Sequence, residues 1–130
     1  MTDLTSTLAI SASAMRAQAT RLRLSSENIA NVDTPGYHRK MLSFQSIADP
    51  QAGATLVRAG PVHLDQSVLT QVYNPGHPLA GPDGYYAGSN VNLVVEIADA
   101  RESQRSYEAN LKMFDQARKM AGAALDILRR

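Results

Sequence analysis

Apolar residues recur at alternating steps of three and four over two long stretches of the chain, one towards each end. From about Asp3 to Ala30 the row is Leu4, Leu8, Ala12, Met15, Ala19, Leu22 and Ile29, with no Gly or Pro to interrupt it. That spacing marks one face of an α-helix, roughly 40 Å long at about 1.5 Å per residue. From about Val91 to Leu128 a second row runs through Ile97, Ala100, Tyr107, Leu111, Phe114, Ala121, Leu125 and Leu128. Gln104 and Arg118 occupy two positions that the same spacing puts on the seam, so the pattern is heptad-like with two polar breaks. Asn90 or Asn92 is placed to cap this helix. Glu96 and Asp99 lie near the positive end of its dipole, Arg129 and Arg130 near the negative end. A helix on the order of 55 Å is longer than a globule with a radius of gyration of about 14 Å is wide, so it needs neighbours beyond its own middle region.

Residues 31–90 hold all six prolines and seven of the eight glycines, which excludes long helices there. Asp33-Thr34-Pro35-Gly36 and Tyr73-Asn74-Pro75-Gly76 each set Pro before Gly as a type II turn requires, and Gly81-Pro82-Asp83-Gly84 reads as another tight turn. Arg39–Gln45, Thr55–Ala59 and Val68–Tyr73 are short candidate strands. The expected fold is α+β and predominantly helical. Two long terminal helices (residues 1–30 and 91–130) form a coiled-coil-like hairpin, the discontinuous helical core, and residues 31–90 form an inserted, turn-rich, irregular β module. Apolar stripes of this length are an association surface, and an asymmetric contact that does not close generates a helical filament.

The 130 residues suit one domain, and a formal net charge of +1 with well-mixed signs offers no field for a nucleic acid. The absence of cysteine removes disulfides, thiol nucleophiles and thiolate metal sites. The start has no basic region, and Ser6, Ser11, Ser13 and Arg16 break the apolar run, so no cleaved secretory signal is expected. No stretch reaches the ~20 apolar residues of a membrane span, and direct membrane insertion is not expected. His38, His63 and His77 occur singly, without the pairing of a helical zinc site. No nucleophile elbow, phosphate loop or dinucleotide fingerprint is present. Neither catalysis nor a cofactor or metal is expected.

The run Ser26-Glu27-Asn28-Ile29-Ala30-Asn31-Val32-Asp33-Thr34-Pro35-Gly36-Tyr37-His38-Arg39-Lys40 can be read by its chemistry alone. Asn28 and Asn31 offer amides to the last helical carbonyls and the turn, Pro35-Gly36 reverses the chain, and Tyr37 supplies an anchor. The same run resembles the signature that ends the first helix of the bacterial flagellar rod and hook axial proteins. Asn74-Pro75-Gly76-His77-Pro78-Leu79-Ala80, Asp83-Gly84-Tyr85 and Ser89 to Glu96 are similar to a passage of a proximal-rod member of that family, and Ala100 to Asn110 resembles the same member's last helix. The short Thr34-Pro35-Gly36-Tyr37 segment departs from the longer glycine-rich insertion often found in that member and is closer to other rod proteins.

The resemblance implies a structural subunit of the flagellar basal-body proximal rod, co-assembling into a helical drive shaft that transmits motor torque. The implied partners are further copies of the chain, rod proteins of the FlgB, FlgF and FlgG types, and the basal-body protein at the junction of export apparatus and MS ring. It also implies export by the flagellar type III apparatus, without a cleaved signal, to a rod within the periplasmic space. The assembly interface is expected to draw on Leu8, Met15 and Leu22 of the first helix and on Asn28, Asn31, Pro35, Gly36 and Tyr37 of the signature. From the last helix it would take Arg101, Arg105, Tyr107, Leu111, Phe114, Arg118, Leu125 and Leu128. Arg16, Arg101, Arg105 and Arg118 are the candidates for ion pairs between subunits, with Arg118 expected to be buried against a neighbour's carboxylate. Two other classes compete: a type III-exported helical effector or adaptor, and a small hydrolase built around His63 or His77.

Overall fold

A computed structural model describes residues 2–130. Helix α1 spans Thr2–Ala30, and helix α2 spans Leu93–Leu128. Between them lie six short strands: β1 (Lys40–Met41), β2 (Phe44–Asp49), β3 (Ala54–Ala59), β4 (His63–Leu64), β5 (Gln71–Tyr73) and β6 (Tyr85–Ala87). The chain is thus α+β and predominantly helical, as its periodicity predicts. At about 1.5 Å per residue, 29 residues make α1 roughly 43 Å long and 36 make α2 about 54 Å. Asn92 is the cap of α2, its side chain accepting from the amides of Val94 and Val95 at 3.1 and 3.3 Å. Asn90, the other candidate, has a different task described below.

The middle region forms three separate antiparallel pairs, β1–β4, β2–β3 and β5–β6, rather than one sheet. The three expected strands differ in extent: Arg39–Gln45 divides into β1 and the start of β2, and Val68–Tyr73 shortens to β5. The reason is local, because Leu42 and Ser43 turn the chain from one partner to another, and Thr70 bonds outside the ladder to Gly88 and Ser89. Gly36 has φ 74° and the amide of Tyr37 donates to the carbonyl of Thr34 at 3.2 Å, as a type II turn requires. The second Pro-Gly pair is different. The amide of His77 closes the turn onto Asn74 at 3.0 Å, but Gly76 keeps a negative φ, so its sequence resemblance to a type II turn does not carry over. Gly84, at φ 84°, ends the third turn, and a Cβ there would lie 2.7 Å from the ring of Tyr73.

α1 is the spine. One of its faces packs along α2 in the opposite direction, and another carries the β2–β3 hairpin. The hairpin is fastened at two points one heptad apart: Ser6 Oγ donates to the carbonyl of Ala52 at 2.7 Å, and Ser13 Oγ accepts from the amide of Val57 at 3.2 Å. Ser6 and Ser13, which in the sequence only interrupt an apolar run, are therefore attachment points. Ala17, Leu24 and Ala117 are the buried apolar residues, whereas Ser11, Ser13, Ser25, Asn28, Ser89, Glu96 and Ser103 are the buried polar ones. The interior of this chain is mostly small and polar, and its large apolar side chains lie elsewhere.

Candidate assembly surface and the latch beside it

Along α2 the buried positions are Glu96, Ser103 and Ala117, and the same heptad row continues through the half-buried Asn110 and Ala124. Of one row of the expected seam, Ala100, Phe114 and Ala121 are also half-buried, whereas Tyr107 and Leu128 are exposed. The other row, Ile97, Gln104, Leu111, Arg118 and Leu125, is displaced outward by one residue, and all five are exposed. Packing explains the displacement. Small Ser and Ala side chains let α1 approach closely, while Leu or Ile at the same level would hold the backbones apart. Gln104 and Arg118 are accordingly not breaks in the seam; they flank it.

The displaced residues join a surface. Leu111, Leu125 and the partly exposed Tyr107 run along one side of the seam, while Met113, Met120 and Ile127 run along the other at heptad steps that the sequence reading missed. Ile127 is 73% and Leu128 76% exposed. The signal for the second row is its regular step of seven, which the more apolar stripe through Ile97, Leu111 and Leu125 obscures. Apolar side chains are thus exposed on both flanks of α2.

The arginines singled out from the sequence are placed differently from one another. Arg101 and Arg105 line a shallow groove with Val94, Ile97, Ala98 and Glu102 on the outer side of α2. Arg16 stands between two surfaces, beside Tyr107 and Phe114 of α2 and beside β2–β3. Among the described residues, none of these three has a carboxylate within 4 Å. Arg118 is exposed in the single chain and pairs within its own helix with Asp115 at 3.2 Å, where Lys119 joins it at 2.8 Å. Lys119, the first cause, and Arg118 together hold the Asp115 carboxyl below its usual range.

The signature residues converge at the other end of the hairpin. Asn28 is 1% exposed, and its side chain binds the β1 backbone as a second strand would: Nδ2 donates to the carbonyl of Lys40 at 2.8 Å and Oδ1 accepts from the Lys40 amide at 2.9 Å. The hydroxyl of Tyr37 donates to the same Oδ1 at 2.8 Å. Burial of the ring is the main reason that the Tyr37 hydroxyl titrates above its ordinary value. Asn31 acts as the sequence suggests, Nδ2 donating to the helical carbonyl of Glu27 at 2.8 Å, whereas Asn28 serves β1 instead of the helix end. Pro35 supplies the turn, and the amide of Gly36 reaches the carbonyls at the end of β6 and just beyond it. Lys40 Nζ pairs with Glu27 at 3.0 Å, and this hydrogen bond is the first reason that Glu27 titrates below the usual carboxylate range.

Arg39 ties this segment to α2. Its Nε donates to Glu96, which is 1% exposed, and its Nη2 lies 3.2 Å from Asp99. Burial works against the charge of Arg39. The Glu96 hydrogen bond and the charges of Glu96 and Asp99 outweigh it and raise the arginine's affinity for its proton. Arg21 of α1 reaches Asp99 and Glu102, each at 3.5 Å. Glu96 and Asp99 thus bind arginines as well as lying near the helix dipole. Asn90 completes the junction: Oδ1 accepts from the Arg39 amide at 2.6 Å, and Nδ2 donates to the carbonyl of Asp65 at 2.8 Å. The sequence offered no signal for pairing Arg39 with Glu96, because 57 residues separate them.

The histidines have local partners. His77 stacks on Tyr86 with ring centroids 4.0 Å apart, and its Nδ1 accepts from the amide of Leu79 at 3.1 Å. His38 Nδ1 lies 2.9 Å from the carbonyl of Asp65, to which it can only donate. Among the described residues no group of three potential metal ligands is present, and no helix is long and apolar enough to cross a membrane.

Two family models match the chain: the flagella basal body rod protein family over residues 8–38, and the C-terminal family of the flagellar basal body rod FlgEFG proteins over residues 83–127. The first covers much of α1 and the signature, and the second covers β6 and nearly all of α2. Over 136 aligned positions the chain is 38% identical to the flagellar basal-body rod protein FlgC of Agrobacterium fabrum, covering 99% of this chain and 98% of the relative. It is 34% identical to the FlgC of Bacillus subtilis, over 92% and 95% of the two chains, and 34% identical to that of Escherichia coli O6:H1, over 85% and 87%.

Proposed function

The chain belongs to the family of flagellar basal-body rod proteins FlgC and is a structural subunit of the rod, and from that premise we propose that it co-assembles in the proximal rod through the outer surface of α2. The observation that carries this reading is the arrangement of α2, which gives its small residues to α1 and keeps Leu111, Met113, Met120, Leu125 and Ile127 exposed. At ~25 cal/mol per Å² of apolar area, covering two such rows on every subunit supplies many kcal/mol towards assembly before ordering costs are deducted. A shaft that carries motor torque needs contacts of that number, distributed along its axis.

Further copies of the chain and rod proteins of the FlgB, FlgF and FlgG types are the neighbours we assign to these rows, with the basal-body protein at the export apparatus and MS ring at the base. Passage through the flagellar type III apparatus without a cleaved signal, followed by assembly in the periplasmic space, fits the same reading, as does a purely mechanical role without catalysis. Arg16, Arg101 and Arg105 are the arginines we assign to carboxylates of a neighbour, because none has one within 4 Å among the described residues. Electron microscopy of basal bodies from a strain lacking the gene tests the proposal. Loss of the rod and of everything beyond it, restored on complementation, is the expected result; complete flagella in the deletion strain would refute it.

A further inference from the structure

Beyond the apolar rows, the hairpin seam carries a pattern that assembly does not call for. Ser11, Gln18 and Ser25 of α1 are seven residues apart, as are Glu96, Ser103 and Asn110 of α2. The helices run antiparallel, and Arg21 reaches both Asp99 and Glu102, which sets their alignment to within a turn. Extended by heptads, that alignment puts Ser25 level with Glu96, Gln18 with Ser103 and Ser11 with Asn110. The groove lined by Ala12, Met15, Arg16 and Ala19 with Tyr107 and Phe114 lies along the same stretch of the two helices. One more heptad brings Leu4 level with Ala117, where the polar series ends.

The middle layer is the informative one. Ser103 is 0% exposed, and its hydroxyl has no hydrogen-bond partner; the amide oxygen of Gln18 is likewise buried without one. The two are not bonded to each other, but at one level a hydroxyl donor and an amide acceptor complement each other through a single bridging water. A slip of one helical turn sets Gln18 against Ala100 or Tyr107, and the apolar face of another subunit's helix offers it nothing. Either exchange leaves a buried polar group unmatched, which is how polar seam residues select register and partner in coiled coils. An all-apolar seam would not distinguish α2 from any other striped helix in the assembly.

We propose that the Gln18–Ser103 layer is a specificity-determining pair that fixes the register of α1 on its own α2 and excludes the helices of neighbouring subunits from that seam. This deepens the assembly reading and rests on it for the competing helices, but it is tested on the single chain. The chain has no cysteine, so Ser26→Cys and Glu108→Cys, both at exposed sites, admit two spin labels without background. Pulsed electron paramagnetic resonance on the purified full-length chain then reports the register.

The parent should give one narrow distance distribution. Gln18→Leu with Ser103→Ala should keep its helicity but add a population displaced along the helix by about 5 Å, one turn. Mixing chains labelled singly at either site should also show new distances between molecules for that variant. Exchanging the two residues, Gln18→Ser with Ser103→Gln, should restore the single distance. An unchanged distribution in the apolar variant, its unfolding, or a broad distribution already in the parent would overturn the proposal. None of these results depends on whether the rod is its destination.

Discussion

The two ends of the helical hairpin are built on opposite terms. At the Asn28–Tyr37–Arg39–Glu96 end, buried polar groups find partners within the chain, and four segments distant in sequence are tied together. At the Leu111–Leu128 end, one helix carries exposed apolar side chains on both flanks. Satisfied polar networks fix a unique local geometry, because each member is costly to leave unpaired. Apolar rows specify little alone but gain from whatever covers them. The contrast sets a junction whose polar groups are satisfied within the chain beside a surface that leaves apolar area uncovered.

The largest effect on this comparison is expected at Arg39. Arg39→Met leaves the buried Glu96 without its cation, and removing one partner of a buried pair costs about 3–5 kcal/mol. Because Arg39 retains some exposure, the lower end of that range, about 3 kcal/mol, is the expected loss, measured by urea unfolding of the purified chain. A change below about 1 kcal/mol would mean that the network does not hold the junction.

The distal rows should show the reverse. Leu111→Asn with Leu125→Asn removes exposed apolar area, so monomer stability should move by less than about 0.5 kcal/mol per site. Incorporation into basal bodies should nevertheless fall sharply, as read by immunoblot of purified basal bodies against total cell protein. Normal incorporation would move the assembly surface elsewhere.

The smallest expected effect is that of pH. Glu27 and Asp65 titrate below the usual carboxylate range, the first chiefly through Lys40 and the second through the Ser67 amide. Their contribution is therefore complete above the unfolded values near pH 4 and is lost as pH falls through the folded ones. Tyr37 has the opposite sign: its raised value favours the fold below about pH 10, and that contribution fades as pH rises further. Amide protection around residues 27–40, taken relative to the intrinsic exchange rate at each pH, should consequently be greatest near neutrality and fall at both extremes. A flat profile would detach these groups from the stability of the junction.

Much of this molecule was legible in its residues, and the limits of that reading have physical causes. Steps of three and four gave both helices and nearly their ends, because helical periodicity is a property of consecutive residues. Proline and glycine gave the turns, since they restrict or free φ at their own positions. The Asn-Pro-Gly-Tyr signature was recognisable, but not that Asn28 would pair with β1. Depth was the weakest point: Ile97, Leu111 and Leu125 are the more apolar choices for a seam, yet Ser103, Ala117 and Ala124 occupy its inner row. Hydrophobicity ranks what gains from leaving water, whereas close helix packing selects what fits.

By itself, then, the sequence determined where the chain is helical, where it turns, and that its terminal stripes exceed what one small domain can cover. Those properties are local, or follow from composition and length. Only the tertiary structure decided which row of α2 lies inside, that Arg39 meets Glu96 across 57 residues, and that Gln18 and Ser103 each bury a polar atom without a partner. These depend on the mutual approach and rotation of two helices, which side-chain volume and the matching of donors with acceptors settle, and which no periodicity along a single chain encodes.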